Sequence, residues 1–118
     1  MSTIKVTNIQ ATGETASRAV SGVAAAWVVG TNSAGVTDSV NVSSGIDNAT
    51  GNYSYSYTNN MSNSTWCFSG SCEVLTRTCT LNTSNVAKDS NSFDVRIYTD
   101  SGSADDRPHG GTVHGDLA

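Results

Sequence analysis

Acid–base chemistry is scarce in this chain. Of its 118 residues 14% are charged, two are histidine, three are cysteine and one is proline. No GxSxG, HExxH, P-loop or GxGxxG pattern occurs, so the residue arrangements that most often activate a nucleophile, a metal-bound water or a phosphate are missing. An enzyme is not expected. Six basic residues stand against ten acidic ones, for a net charge of −4, and the basic ones form no stripe. That speaks against nucleic-acid binding. The longest apolar run, residues 23–29, is far too short for a membrane-spanning helix. The opening Met1-Ser2-Thr3-Ile4-Lys5-Val6 has no apolar core of a signal peptide, so synthesis in a cytoplasm without general secretory export is expected.

Cysteine is equally sparse. Cys67, Cys72 and Cys79 are an odd number, which disfavours a disulfide framework. Cys67 and Cys72 flank Phe68-Ser69-Gly70-Ser71, which reads as a hairpin tip, so a cross-strand bridge between them is one expectation. Three small, partly buried thiols is the other.

What the chain has in quantity is side-chain hydroxyl and amide: Ser, Thr and Asn make up 44 of the 118 residues. The length suits one domain with a modest core. Residues 3–9 read as a strand or an extended arm, and residues 10–17 as a small, polar linker. Residues 23–29, bounded by Gly22 and Gly30, fit a strand buried on both faces. Thr31-Asn32-Ser33-Ala34-Gly35 is turn chemistry. Residues 36–42 would place Val36, Val40 and Val42 on one face, and residues 43–51 read as a loop. The clearest strand is residues 52–58, where Tyr53, Tyr55 and Tyr57 alternate with Ser54 and Ser56. Residues 65–68 and 73–81 suggest a hairpin about Ser69-Gly70-Ser71. Residues 92–99 alternate again, and residues 112–114 would make a short last strand after a Gly-rich stretch. Six or more short strands without an amphipathic helix predict an all-β fold, a small antiparallel β-sandwich or jelly-roll-like domain over residues 21–118, preceded by an N-terminal attachment arm and linker over 1–20.

Few residues offer chemistry. His109 and His114 are five apart and fall on opposite faces of a strand, a poor ligand set within one chain. Three chains meeting on an axis could still gather one histidine each around a metal. The carboxylates of Asp100, Asp105 and Asp106 surround a Gly turn, but lack the alternation of a calcium loop and read as an ordinary acidic turn. No catalytic residue, cofactor or metal is therefore expected. The tyrosine face could stack on sugars. In a chain this short of Leu, Ile and Phe, the core needs those rings, and Trp27 on its apolar strand reads as core for the same reason. Trp66, beside the expected hairpin tip, is the candidate for an exposed receptor contact.

Several strings resemble a known family. Ser2-Thr3-Ile4-Lys5-Val6-Thr7-Asn8-Ile9-Gln10 is similar to the start of many tail-fibre and other virion proteins of tailed bacteriophages. Ala26-Trp27-Val28, Asn41-Val42-Ser43-Ser44 with Asp47, Gly51-Asn52-Tyr53, Ser92-Phe93-Asp94-Val95-Arg96 and Val113-His114-Gly115-Asp116 resemble a small β-module of the same proteins. The cysteine-bearing stretch from Trp66 to Thr80 departs from that pattern, as does Pro108-His109-Gly110-Gly111. The resemblance implies a non-enzymatic virion surface protein, a homotrimer whose arm (Thr3, Ile4, Lys5, Val6 and Ile9) attaches each subunit to other virion proteins. A short tail-fibre or tip-like protein that contacts host-surface glycans is the first expectation. A capsid decoration (cement) protein and a free carbohydrate-binding module are the alternatives. The implied location is the virion, assembled in the bacterial host cytoplasm, with no nucleic-acid partner and no membrane insertion.

Overall fold

The computed structural model describes residues 2–9, 18–19, 23–82 and 88–118. Its elements are β1 (Asn8–Ile9), β2 (Arg18–Ala19), β3 (Ala26–Gly30), β4 (Val36–Val40), β5 (Val42–Ala49), β6 (Asn52–Tyr57), β7 (Cys67–Cys72), β8 (Arg77–Leu81), β9 (Ser92–Thr99) and β10 (His109–His114), with no helix among the described residues. The fold is all-β: two antiparallel four-stranded sheets, ordered β4-β3-β10-β7 and β5-β6-β9-β8, pack face to face. The expected linker over residues 10–17 lies outside the described residues. The end of the expected arm does form a ladder, since β1 pairs β2.

Alternation builds one inner wall. Tyr53, Tyr55 and Tyr57 of β6 point inward and are at most 5% exposed, while Ser54 and Ser56 point out. The neighbouring β9 sets Val95 against Tyr53 and Phe93 against Tyr55. Phe93 is a ring hub, with centroids 5.4 Å from Tyr55, 5.4 Å from Tyr57 and 5.8 Å from Phe68. Each buried ring contributes roughly 1.5–3 kcal/mol.

The facing wall is made largely of small residues, with Phe68 and His109 among them. Rows Val28–Gly111–Gly70 and Gly30–His109–Cys72 run across β3, β10 and β7. A Cβ on Gly30 would lie 2.1 Å from the Tyr55 hydroxyl, and one on Gly111 would lie 2.3 Å from the Phe68 ring. Gly30 is a hollow for the Tyr55 ring of the facing sheet, and Gly111 is a hollow for the Phe68 ring of its own sheet.

Several elements differ from what the sequence leads one to expect. Strand β3 is buried on one face only: Ala26 and Val28 point in, whereas Val29 is 37% exposed and Trp27 is half-buried on the outer face. Trp27 is therefore not core, because the period of two assigns it to the side opposite Ala26 and Val28. Residues 36–42 are not one strand. Asn41, at φ 57°, turns the chain from the edge of one sheet to the edge of the other, so Val42 is buried while Val36 and Val40 are not. The Asn41 side chain holds that turn by donating to the Asn59 carbonyl at 2.9 Å and accepting from the Asn59 amide at 2.7 Å. Residues 43–49 are strand rather than loop. Ser69-Gly70-Ser71 is the middle of β7, not a hairpin tip, and β7 and β8 lie in different sheets. The Gly-rich stretch at His109-Gly110-Gly111 is the first half of β10, an interior strand between β3 and β7.

Candidate functional site

The N-terminal segment is exposed throughout residues 2–8, and its apolar side chains are not shielded: Ile4 is 85% and Val6 51% exposed. Thr3 and Lys5 are exposed beside them, and Ile9 lies in β1. Thr3, Ile4, Lys5 and Val6 therefore form one exposed stretch that leads into β1 at Asn8–Ile9.

Trp66 is not an exposed contact. It is 2% exposed, its ring sits edge-on to Tyr57 and Phe93, and its indole N–H donates to the Asp89 carbonyl at 2.9 Å. Lys88 covers it, with Nζ 5.3 Å from the ring centroid and donating to the Trp66 carbonyl at 2.8 Å. The indole fills the end of the core next to Phe93, a role that no local alternation announces. The cleft beside it, lined by Leu81, Asn82, Lys88, Ser92 and Asp94 among others, holds about 10 Å³, room for about one water and not for a sugar ring.

The polar centre of the molecule is buried, and no local pattern of residues announces it. His109 is 1% exposed. Its Nδ1–H donates to the Arg107 carbonyl at 2.8 Å, which leaves Nε2 to accept from the Tyr55 hydroxyl at 2.7 Å. Its ring stacks on Tyr53 at 4.6 Å. Burial lowers the imidazole pKa, so the ring is neutral in the fold. Tyr53 donates to Asp106 Oδ1 at 2.8 Å, and the same oxygen accepts from the Gly51 amide at 2.6 Å. Burial, first of all, pushes the Tyr53 and Tyr55 hydroxyls upward, so both remain protonated donors. Gly51 needs its lack of a side chain twice: φ is +63°, and a Cβ would lie 2.6 Å from the Ile97 carbonyl. The tyrosine–histidine pair is sealed on every side and has no access for a substrate. Its work is to join the two sheets with satisfied hydrogen bonds.

The acidic turn is likewise structural. Asp105 accepts from Arg77 at 2.5 Å and Arg107 at 2.9 Å, and these two guanidinium groups hold its carboxyl below the usual carboxylate range. Asp106 is taken by Tyr53 and Gly51. His109 and His114 point to opposite sides of β10, buried and half-buried respectively, as their spacing requires. No cluster of three metal-ligating side chains exists among the described residues.

The outer faces differ from each other. On the β5-β6-β9-β8 sheet, Ser54 lies between Ile46 and Asp94, and Asn52 lies next to Arg96, whose guanidinium is 5.2 Å from the Tyr98 ring. On the other sheet, Trp27 is bracketed by Val40 and Thr112, with Val29 one row on and Ser69 beyond Thr112. Trp27, not Trp66, is thus the tryptophan at the surface. The signal for this was the position of Trp27 in the alternation of β3.

Compared with protein-family models, curated proteins and solved structures, the chain matches none. Its class is set by its own geometry: a small antiparallel β-sandwich with a sealed polar centre and an exposed, apolar-bearing N-terminal segment.

Proposed function

We propose that this chain is a non-enzymatic structural protein on the surface of a tailed-bacteriophage virion, a short tail-fibre or tip-like protein. The observation that carries the reading is the N-terminal segment. Ile4 and Val6 are held out in solvent on an extended stretch while the sandwich fills its own core, which fits an arm that buries those side chains in another virion protein. The resemblance of residues 2–10 to virion protein openings supports the same assignment. Asn52, Ser54 and Ser56 on the outward positions of β6 keep that face soluble with little charge, as suits a protein displayed outside a cell. Assembly as a homotrimer would cover sheet edges. Contact with a host-surface glycan would fall to the Trp27 face, because Tyr53, Tyr55, Tyr57 and Trp66 are buried and Arg96 lies over the half-buried Tyr98 ring.

The test is incorporation into particles. Ile4→Asp with Val6→Asp should leave the sandwich folded and the far-ultraviolet spectrum unchanged, yet remove the protein from purified virions. A handful of copies per virion fits a tail location, and hundreds would move the protein to the capsid as a decoration protein. A monomer in sedimentation that never co-purifies with particles would overturn the reading.

A further inference from the structure

Two of the three cysteines converge where the sheets come closest at one edge. Strand β7 is the edge of one sheet and β8 the edge of the other, joined by residues 73–76. Cys72 faces inward at the end of β7, in register with His109, and Cys79 faces inward from β8, in register with Ile97. Between them is Gly70: a Cβ there would lie 2.6 Å from the Phe68 ring and 2.9 Å from the Cys79 sulfur, so ring and sulfur together occupy the space above β7 that a side chain would fill. The absent side chain leaves room for β8 to lie against β7, and the Cys72 and Cys79 thiols interact there as side-chain neighbours. Cys67 is excluded from this pair. It is exposed on the outer side of β7, opposite in phase to Cys72, so the Cys67–Cys72 bridge expected from a hairpin cannot form.

From this juxtaposition we propose that Cys72 and Cys79 are a disulfide pair that, in an oxidising medium, pins the end of β7 to β8 across the seam between the two sheets. Both are free thiols in the structure. A low-molecular-weight disulfide such as oxidised glutathione is the oxidant. One cysteine thiolate attacks a glutathione sulfur and expels one glutathione thiolate. The second cysteine, deprotonated by solvent base, attacks the mixed disulfide and expels the other glutathione. Two protein thiols become one disulfide, one glutathione disulfide becomes two glutathione thiols, and the two thiol protons end on glutathione. Burial pushes the Cys79 thiol up to about 12 and also raises Cys72. Reaction in the folded protein is therefore slow at neutral pH, and the half-buried Cys72 is the point of entry. The bond would bear on a protein displayed outside the cell, but it does not depend on that role.

The test uses the full chain carrying Cys67→Ser, in the folded state in mildly alkaline oxidised glutathione and, in parallel, refolded from denaturant in a glutathione redox buffer. Trypsin cuts after Arg77, between the two cysteines, so their peptides remain joined only by a disulfide. The expected result is a linked peptide pair in at least one arm, sensitive to reductant, with a melting temperature roughly 10 °C above the reduced form. Neither the linked pair nor the shift should appear in Cys72→Ser or Cys79→Ser. Three results would overturn the proposal: free thiols in both arms, a glutathione adduct on Cys72 that does not resolve, or disulfide-linked dimers in place of the internal bond.

Discussion

The two inner walls of the sandwich solve the same packing problem in opposite ways. The β5-β6-β9-β8 wall presents rings and branched side chains: Tyr53, Tyr55, Tyr57, Phe93, Val95 and Ile97. The β4-β3-β10-β7 wall presents Gly30, Gly70 and Gly111 beside Ala26 and Val28, with Phe68 and His109 between them. One wall is ridge, the other hollow. A chain poor in Leu, Ile and Phe can build a dense core this way, because its large rings, Tyr55 from the facing sheet over Gly30 and Phe68 from the same sheet over Gly70 and Gly111, need little more than backbone beneath them. Glycine normally weakens a strand. Here its cost is offset by the ring that lies on it.

The largest effect should come from breaking the ridge. Phe93→Ala removes the ring that touches Tyr55, Tyr57, Trp66 and Phe68, and should cost about 3–5 kcal/mol in denaturant unfolding. Against a total stability of about 5–15 kcal/mol for domains in general, that leaves a marginal fold. Filling the hollow comes next. Gly111→Val would drive a Cβ to within 2.3 Å of the Phe68 ring, where β10 is hydrogen-bonded on both sides and cannot retreat. About 1–3 kcal/mol should be lost. Phe68→Leu made in the same chain should return part of it, and a double-mutant cycle with no coupling would show that the hollow is not shaped by that ring.

The same contrast explains what could be read from the residues alone. The ridge was legible. Tyr53, Tyr55 and Tyr57 declare a period of two, as do Phe93, Val95 and Ile97, and the all-β sandwich follows from them. The hollow was not. Glycine and serine in β7 and β10 carry turn chemistry locally, so Ser69-Gly70-Ser71 reads as a hairpin tip and His109-Gly110-Gly111 as a Gly-rich stretch before the last strand. Tertiary fit, not local preference, makes them strands. The tryptophans were exchanged for the same reason. Trp27 lies in an apolar run but on its outward phase, and Trp66 lies in a polar stretch but at the end of the ring wall. The exposure of Ile4 and Val6 follows from their position before the sandwich. The buried tyrosine–histidine pair joins residues 54 positions apart, a contact no local pattern can show.

That pair gives a smaller, pH-dependent prediction about how ridge and hollow are joined. Tyr55→Phe leaves His109 Nε2 buried without its donor and should cost about 1 kcal/mol. Burial holds the His109 pKa below its ordinary value. Between the folded and unfolded pKa values the unfolded chain therefore binds the extra proton. Stability is complete above about pH 6.5 and is lost as the pH falls below it. Unfolding midpoints measured down a pH series should show that decline in the wild type. His109→Phe, which cannot titrate, should flatten it. Asp105 adds a second decline only at more acidic pH, since its carboxyl is held below the usual carboxylate range by Arg77 and Arg107.

The smallest effect belongs to the outer side of the ridge. Ser54 stands between Tyr53 and Tyr55 in the chain but points the other way, and its hydroxyl accepts from Asn48 Nδ2 at 2.7 Å in an exposed position. Ser54→Val loses that bond and gains strand preference, so stability should move by no more than about 0.5 kcal/mol. One residue to either side, the phase of the strand places a ring in the core. The outcome bears on assembly as well as on packing. If Ser54→Val costs as much as a core change, and if that cost falls away on dilution, then this face is covered by a second copy of the chain. A small cost at every concentration leaves the serine face to solvent and any subunit contact to the Trp27 side.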